Sequence, residues 1–257
     1  MKLKKWVNLA LLGGVIALGS GVMPAMAKTE TVVLVHGAFA DGSSWNAVIS
    51  ELQKKHLDVI AVQIPLTSLK DDVAATKRAI EQAHGDVLLV GHSWGGTVIT
   101  EAGNNPKVKS LVYIAAFAPA AGQSTSELAS SFPAPPGSAG IAKTPAGYLY
   151  LPEKAVKEDF AQDVPSETQR LITVTQGPIK ASAFDEKITQ PAWKTKPVWY
   201  LVSSEDRMIN PDLERSMAKS VNAKIEEVKA SHVSMISQPD SVAKIILQAA
   251  DGKAPKS

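Results

Sequence analysis

Val87-Leu88-Leu89-Val90-Gly91-His92-Ser93-Trp94-Gly95-Gly96 is the stretch of this 257-residue chain that decides its fold. Its apolar start indicates a strand buried on both faces, and a helix-like stretch follows it. A serine between two glycines at such a junction sits on a sharp turn, and its hydroxyl projects above the sheet edge. Taken alone, residues 91–95 would also fit an ordinary turn of glycine and serine that closes a strand. The strand, the helix and Gly96 favour a nucleophile elbow with Ser93 as the nucleophile.

Six apolar segments rich in β-branched residues predict strands at residues 31–36, 58–63, 86–91, 110–115, 197–203 and 224–229. The first five are nearly continuous apolar runs, which is typical of parallel strands covered on both faces. The sixth alternates apolar with charged residues, which is typical of an edge strand.

Helical patterns fall between the strands, from Ser43 or Ser44 to about Lys54 and over residues 68–83, 95–103, 211–220 and 239–250. The predicted helices at residues 211–220 and 239–250 begin with proline. Asp71 and Asp72 are placed to stabilise the first turn of the helix predicted at residues 68–83. The alternation predicts the α/β class, with a mostly parallel, doubly wound sheet of about six strands.

One interval, residues 119–193, breaks this alternation and shows no convincing strand. Residues 120–147 read as a loop rich in Ala, Ser, Gly and Pro, and two short helical patterns follow at residues 152–162 and 165–175. An insertion of this length after the fourth strand predicts a helical cap over the carboxyl edge of the sheet, not a separate domain.

The N-terminus has the three parts of a secretory signal peptide: a basic start at residues 1–5, an apolar stretch at residues 6–23, and Ala25-Met26-Ala27. We expect cleavage after Ala27. That would leave one domain of residues 28–257, exported to the periplasm or secreted. The alternative, a retained membrane anchor, is disfavoured because Asn8, Ser20 and four glycines interrupt the apolar stretch.

The composition excludes several classes of function. The expected mature chain has 24 basic and 25 acidic residues, a formal net charge of −1, which indicates neither a nucleic-acid nor a membrane-surface partner. The chain contains no cysteine, so thiol catalysis and Cys-ligated metal sites are excluded. There is no glycine-rich phosphate loop, and we expect no cofactor and no metal. Nothing in the sequence indicates an oligomeric state.

Five histidines are available to activate the serine. His56 and His84 precede strands, on the far side of the sheet from the elbow, while His36 and His92 read as structural residues beside it. His232 follows the last strand, where the base arrives in a chain order of Ser, acid, His. We therefore expect His232 to be the general base, against the alternative of a surface-loop histidine.

The acid that orients this base should follow a late strand at its carboxyl end. Glu205 and Asp206 both follow the strand predicted at residues 197–203, and Arg207 beside them is a candidate for a structural ion pair. We favour Asp206 over Glu205, because a short carboxylate past the strand end suits a buried bond to an imidazole.

Two backbone amides should stabilise the oxyanion, one of them from Trp94 directly after the nucleophile. The second should come from the loop after the first strand, where Gly37 allows the chain to turn. We expect the amide of Ala38, with Phe39 as the alternative. The side chains of Phe39, Phe117, Trp193 and Met208, and of Trp94 itself, are candidate pocket walls, for which core packing is an equal explanation.

With these residues in place, the blocks at residues 35–38, 90–96, 205–209 and 231–235 resemble the α/β-hydrolase superfamily. Within it, the chain is most similar to the small cap-bearing esterases related to plant methylesterases and hydroxynitrile lyases. The lyases of that group have a lysine directly after the catalytic histidine, and this chain has Val233 there. The resemblance therefore implies a hydrolase and not a lyase.

The sequence favours a serine carboxylesterase that acts on a small, mostly apolar ester through Ser93, His232 and Asp206. One alternative keeps the same residues but lets peroxide attack the acyl-enzyme, as in the cofactor-free haloperoxidases that this superfamily contains. Another is a non-catalytic ligand-binding protein that keeps the pocket.

Overall fold

The computed structural model describes residues 31–252, so the predicted signal peptide of residues 1–27 lies outside the described residues. Nine strands are numbered here in chain order: β1 (Thr31–Val35), β2 (Asp58–Val62), β3 (Val87–Ser93), β4 (Val108–Ala116), β5 (Ala142–Lys143), β6 (Tyr148–Tyr150), β7 (Ile179–Lys180), β8 (Val198–Ser203) and β9 (Lys224–Val228).

The α-helices are numbered in the same way: α1 (Asn46–Gln53), α2 (Leu69–Gln82), α3 (Trp94–Ala102), α4 (Thr125–Ala129), α5 (Glu153–Ala155), α6 (Ser166–Thr175), α7 (Pro211–Ser220), α8 (Ser234–Ser237) and α9 (Pro239–Ala250). Proline occupies the first helical position of α7 and α9, as predicted, because its missing N–H needs no partner there. Ser68 caps α2 by accepting from the amide of Asp71. None of the helices within residues 31–252 is long and apolar enough to cross a bilayer.

The main sheet has six strands in the order β2-β1-β3-β4-β8-β9, and every neighbouring pair is parallel. The prediction of a doubly wound α/β fold is confirmed. The chain runs from β1 outward to β2 and then returns to place β3 on the other side of β1. This reversal of direction opens a crevice at the carboxyl ends of β1 and β3, where ligands bind in sheets of this kind.

The two edges of the sheet are β9 and β2. β9 is the predicted edge strand, with exposed residues alternating along it. The expectation that β2 is covered on both faces is wrong: Asp58 is exposed, and only Val62 of the strand is fully buried. Its apolar sequence indicates a strand, but the position of a strand in the sheet depends on the order in which strands pair.

The insertion between β4 and β8 forms the cap, and the expectation that it lacks strands is wrong. β5, β6 and β7 pair antiparallel into a small sheet of their own. Strands of two or three residues are too short for an alternating pattern to show in sequence. The segment predicted as a loop also contains α4, which begins with a capping box between Ser124 and Glu127. The helical pattern at residues 152–162 becomes α5 followed by a single π-helical turn, Val156–Phe160.

Candidate active site

Ser93 ends β3 directly before α3, in the backbone conformation φ 51°, ψ −120°. This left-handed φ is costly for a serine, and surrounding structure must hold it. The neighbouring glycines explain how the turn fits, since a Cβ at Gly95 would lie 2.5 Å from the carbonyl oxygen of Val35. A Cβ at Gly91 would lie 2.5 Å from the carbonyl oxygen of Gly95. The turn therefore has the tight strand-to-helix geometry of a nucleophile elbow.

His232 and Asp206 are joined by a short bond in which Nδ1 of the imidazole lies 2.5 Å from Oδ2 of the carboxylate. Both side chains are buried. Asp206 Oδ1 accepts the amides of Met208 at 2.7 Å and Ile209 at 2.9 Å, which hold the carboxylate in place. With Nδ1–H donating to Asp206, the lone pair of the imidazole is on Nε2.

Glu205 lies outside this cluster. Its side chain is 50% exposed, and its Oε1 lies 3.4 Å from Nζ of Lys229 at the protein surface. The structure thus brings Asp206, and not Glu205, to the imidazole of His232.

Within residues 31–252, none of the other four histidines is paired with a carboxylate as His232 is. His92 is fully buried, and its Nε2–H donates to the backbone carbonyl of His232 at 2.9 Å, which supports the loop that carries the base. Burial lowers the pKa of His92 well below its usual range, and it also lowers that of His36, so both rings are neutral. His56 and His84 lie at the amino edge of the sheet, beside the starts of β1 and β2.

The amides expected to bind an oxyanion differ in their availability. The N–H of Phe39 donates to the carbonyl of Gly177 in the cap at 3.1 Å, so it is already used. Across residues 31–252, the N–H of Ala38 has no acceptor. Trp94 is the first residue of α3, where an amide has no partner within its helix. The amides of Ala38 and Trp94 are therefore free to donate hydrogen bonds to a ligand oxygen.

Ser93 and His232 line one cavity of about 350 Å³ between the carboxyl edge of the sheet and the cap, which we call the active-site cavity. Ala38, Phe39, Phe117 and Met208 also line it. Trp193 does not, because its indole N–H donates to the carbonyl of Pro119 at 3.1 Å outside the cavity. The indole of Trp94 is likewise absent from the lining and packs against Phe184 with ring centroids 5.2 Å apart.

Sequence reasoning did not find the contacts between the cap and the loops that carry Asp206 and His232. Three cap side chains bond to residues adjacent to Asp206 or His232, each at 2.8 Å, and the ring of Phe160 lies 5.4 Å from that of His232. We call these three bonds the cap clasp: Asp159 with Arg207, Gln162 with Glu205 and Asp163 with Ser231. Arg207 thus pairs with the cap and not with either candidate acid. The turn that ends at Phe160 is the only π-helical turn among the described residues, a feature that often accompanies functional sites.

A second buried acid lies behind Asp206. Glu214 on α7 is fully buried, and its Oε2 accepts the amide of Ser203 at 3.1 Å. Its Oε1 receives no hydrogen bond from the described residues. Burial, and next the charge of Asp206, raise the pKa of Glu214 well above its usual range, so that Glu214 is protonated and carries no charge beside Asp206.

A third buried acid, Asp72, contacts Trp94, the residue directly after Ser93 in the elbow. The sequence assigned Asp72 to the first turn of α2, where Asp71 is indeed exposed, but the side chain of Asp72 faces inward. It accepts the indole N–H of Trp94 and the amide of Leu66, and burial raises its pKa to about 6. No local sequence pattern distinguishes the two aspartates, because their burial depends on where α2 packs.

No group of three or more His, Asp or Glu side chains within residues 31–252 is arranged to hold a metal ion. The sequence model that defines the alpha/beta hydrolase family matches residues 32–245 of this chain. The chain belongs to that family. It is therefore an enzyme of the hydrolase class, and the resemblance that the four sequence blocks indicated is confirmed.

Relatives within the family have several activities. The chain is 25% identical over 246 residues to an alpha-hydroxynitrile lyase of Arabidopsis thaliana, a match that covers 84% of this chain and 95% of the lyase. It is 35% identical over 108 residues to a carbendazim hydrolyzing esterase of Nocardioides sp. (strain SG-4G), covering 36% of this chain and 44% of the esterase. In fold, it is similar to polyneuridine aldehyde esterase, with a TM-score of 0.75, 20% identity and coverage of 87% of this chain and all 100% of that one.

Proposed function

We propose that this alpha/beta hydrolase is a serine carboxylesterase that cleaves a small, mostly apolar carboxylic ester. The observation that carries the proposal is the pairing of Asp206 with His232, whose imidazole lines the same cavity as Ser93, a serine held in a strained turn. Serine is a weak nucleophile unless a base takes its proton, and this base is held in the tautomer that can do so.

In the proposed reaction, Ser93 Oγ attacks the acyl carbon of the ester while Nε2 of His232 takes the hydroxyl proton. The negative oxygen of the tetrahedral intermediate accepts the amides of Ala38 and Trp94. The bond between the acyl carbon and the alcohol oxygen then breaks, and His232 gives its proton to that oxygen, which leaves as the alcohol. Water attacks the acyl-enzyme and gives a proton to His232. Ser93 recovers the proton as the carboxylic acid departs.

The walls of the active-site cavity support a neutral substrate. Its described lining is largely apolar and contains one carboxylate, Asp185, and no lysine or arginine to pair with an anionic group. A lyase that released cyanide would need to stabilise an anion at this position. The residue after His232 is the buried Val233, which supplies no charge. This supports hydrolysis over cyanohydrin cleavage, and ester hydrolysis is also the activity named for the relative from Nocardioides.

A fluorophosphonate probe, which phosphonylates activated serines, tests the proposal. We expect the wild type and Ser126→Ala to be labelled equally, because Ser126 lines the same cavity from the cap helix α4 and not from the elbow. Ser93→Ala should remain unlabelled and should lose turnover of short p-nitrophenyl esters. Equal labelling of Ser93→Ala, or no labelling of the wild type, would refute the assignment.

A further inference from the structure

A second cavity of about 360 Å³ lies on the other side of Phe39 from Ser93. It is enclosed between the cap helix α6 and the core segments at residues 39–47 and 233–236. Its volume falls within the range of about 300–1,000 Å³ that is usual for small-molecule sites. The function described above makes no use of this second cavity.

The second cavity adjoins the active-site cavity at two aromatic rings. Phe39 lines both cavities, and its ring meets the edge of Phe160 with centroids 6.3 Å apart at 81°. The ring of Phe160 in turn lies 5.4 Å from that of His232. Val233, the residue directly after His232, also lines the second cavity. The second cavity therefore lies beside the imidazole of His232, and the rings of Phe39 and Phe160 lie where the two cavities adjoin.

The backbone of Phe39, where the two cavities adjoin, has an unusual conformation. Phe39 has a φ of 60°, which is costly for a bulky residue. Its amide and the carbonyl of Ala40 both bond to Gly177, at 3.1 and 3.3 Å, so the cap maintains this conformation. Persistent strain of this kind is typical of ligand-binding positions.

The chemistry of the lining selects a neutral apolar group. Leu171, Ile172, Met235 and Ile236 contribute its aliphatic wall, and the hydroxyls of serine and threonine residues lie around it. The described lining contains no cation, and its single carboxylate, Asp41, already accepts the amide of Ser43 at 2.6 Å. Leu171 is 57% exposed, so the apolar wall continues to the surface.

We propose that an ester binds with its carbonyl at Ser93 and with its alcohol-side substituent, which we call the alcohol arm, in the second cavity. The alcohol arm is an aryl or branched alkyl group, and the acyl group is called the acyl arm. The assignment to the alcohol side rests on the proposed esterase function, because His232 must give its proton to the leaving oxygen. That oxygen therefore lies at the imidazole, and the group attached to it continues past Phe160 into the second cavity. The acyl arm occupies the active-site cavity.

Filling the second cavity tests this proposal. Ile172→Trp puts a ring into it from α6, and Val174→Trp is the matched control, since Val174 is 79% exposed on the same helix and outside the lining. The substrates are acetates of methanol, butanol, benzyl alcohol and 2-naphthylmethanol. We expect Ile172→Trp to lower kcat/KM for the naphthylmethyl ester about tenfold or more, the effect of losing a buried apolar group. Methyl acetate should be unaffected, and Val174→Trp should match the wild type throughout.

Several outcomes would overturn the proposal. Unchanged selectivity in Ile172→Trp would show that the second cavity is not used. A selective loss for methyl benzoate and methyl 2-naphthoate, which vary the acyl arm, would reverse the assignment of the two arms. If Ile172→Trp lowers the Tm and every rate together, the same measurements are made on Thr168→Phe. This variant fills the same cavity from another turn of α6, and its selectivity is judged by the same criteria.

A binding experiment separates this proposal from the esterase function. Binding of 2-naphthylmethanol to Ser93→Ala, measured by calorimetry, should weaken about tenfold in Ser93→Ala/Ile172→Trp. If the wild type hydrolyses no ester and takes no fluorophosphonate but this weakening is seen, the esterase proposal fails and the site remains. If binding is unchanged, the site fails regardless of the reaction.

Discussion

Asp72 Oδ2 accepts the indole N–H of Trp94 at 2.7 Å, and both side chains are completely buried. The bond joins α2 to the residue directly after the nucleophile. Asp72 Oδ1 accepts the amide of Leu66, also at 2.7 Å, which joins the same carboxylate to the loop before α2. One side chain therefore fixes both the elbow and a segment that the sequence separates from it by more than twenty residues.

The stability of the protein should depend on the ionisation of Asp72. Its pKa of about 6 when folded exceeds the ordinary 3.8, so the folded protein binds a proton between these values that the unfolded chain does not. This contribution to stability is complete below the ordinary pKa and is lost as the pH rises through about 6. Relative to Asp72→Asn, the wild type should lose up to about 3 kcal/mol of unfolding free energy between about pH 4 and pH 7.

Urea denaturation of the two proteins at both pH values measures this difference. Asp71→Asn is the control, because hydrogen bonds from Ser68 and Thr67 lower the pKa of the exposed Asp71 and give a dependence of the opposite sign. A difference between wild type and Asp72→Asn that stays constant with pH would contradict the prediction.

Glu214 should act on Asp206 as a neutral acid. Glu214→Gln keeps an acceptor for the amide of Ser203 and, like the protonated acid, carries no charge beside Asp206, so we expect kcat/KM at neutral pH within about threefold of the wild type. Glu214→Ala removes the acceptor for the amide of Ser203 and leaves a cavity, and it should lower kcat/KM about tenfold. Because the folded pKa of Glu214 is raised, the wild type loses stability as the pH rises through that pKa, and Glu214→Gln should not.

The pH profile of kcat/KM and of the Tm from neutral to alkaline pH tests this prediction. The other groups that face Glu214 are Tyr200, whose pKa burial raises well above its usual range, and Arg215 at the surface end of the site. Equal losses in Glu214→Gln and Glu214→Ala would show instead that Glu214 is ionised when folded.

Asp206→Asn should lower kcat about 10³–10⁴-fold, because an amide at this position favours the wrong tautomer of His232. Glu205→Gln changes only an exposed ion pair with Lys229 and should remain within about twofold of the wild type. Steady-state hydrolysis of a short p-nitrophenyl ester measures both variants. The assignment of the acid fails if Glu205→Gln is the damaging change.

Gly95→Ala should unfold or severely destabilise the protein, since its Cβ would overlap backbone atoms of Val35 and His36 at 2.5 and 2.7 Å. Gly122→Ala is the informative control: its φ is +75°, but no atom lies within 4 Å of the added Cβ. Backbone strain alone should therefore cost about 1 kcal/mol at Gly122, whereas Gly95→Ala should cost more than about 3 kcal/mol. Denaturant unfolding compares the two, and similar losses would show that crowding at Gly95 is relieved by small shifts.

Much of the fold follows from local patterns. Buried parallel strands are apolar on both faces, so β1, β3, β4 and β8 are visible as continuous runs, and proline marks the starts of α7 and α9. The short cap strands and the exposed edge at β2 are different, because pairing partners far along the chain decide them. No periodicity within residues 142–150 or 58–62 contains that information.

The site divides in the same way. A local motif marks Ser93, and chain order marks Asp206 and His232, so the proximity of these three residues in the folded chain could be predicted. Asp72, Glu214 and Phe160 act through contacts with residues distant in sequence, and each looks in isolation like an ordinary helix or core residue. Only the folded arrangement shows that two of them are buried acids and that the third touches the base.

The cap clasp limits where this enzyme can be recombined. One way to alter substrate selectivity would be to exchange the whole insertion, residues 119–193, with that of a relative. Such a chimera would remove Asp159, Gln162 and Asp163, and with them three bonds to the loops that carry Asp206 and His232. The part that can be transplanted without disturbing the reacting groups is therefore smaller than the insertion, and residues 159–163 belong with the core in any such exchange.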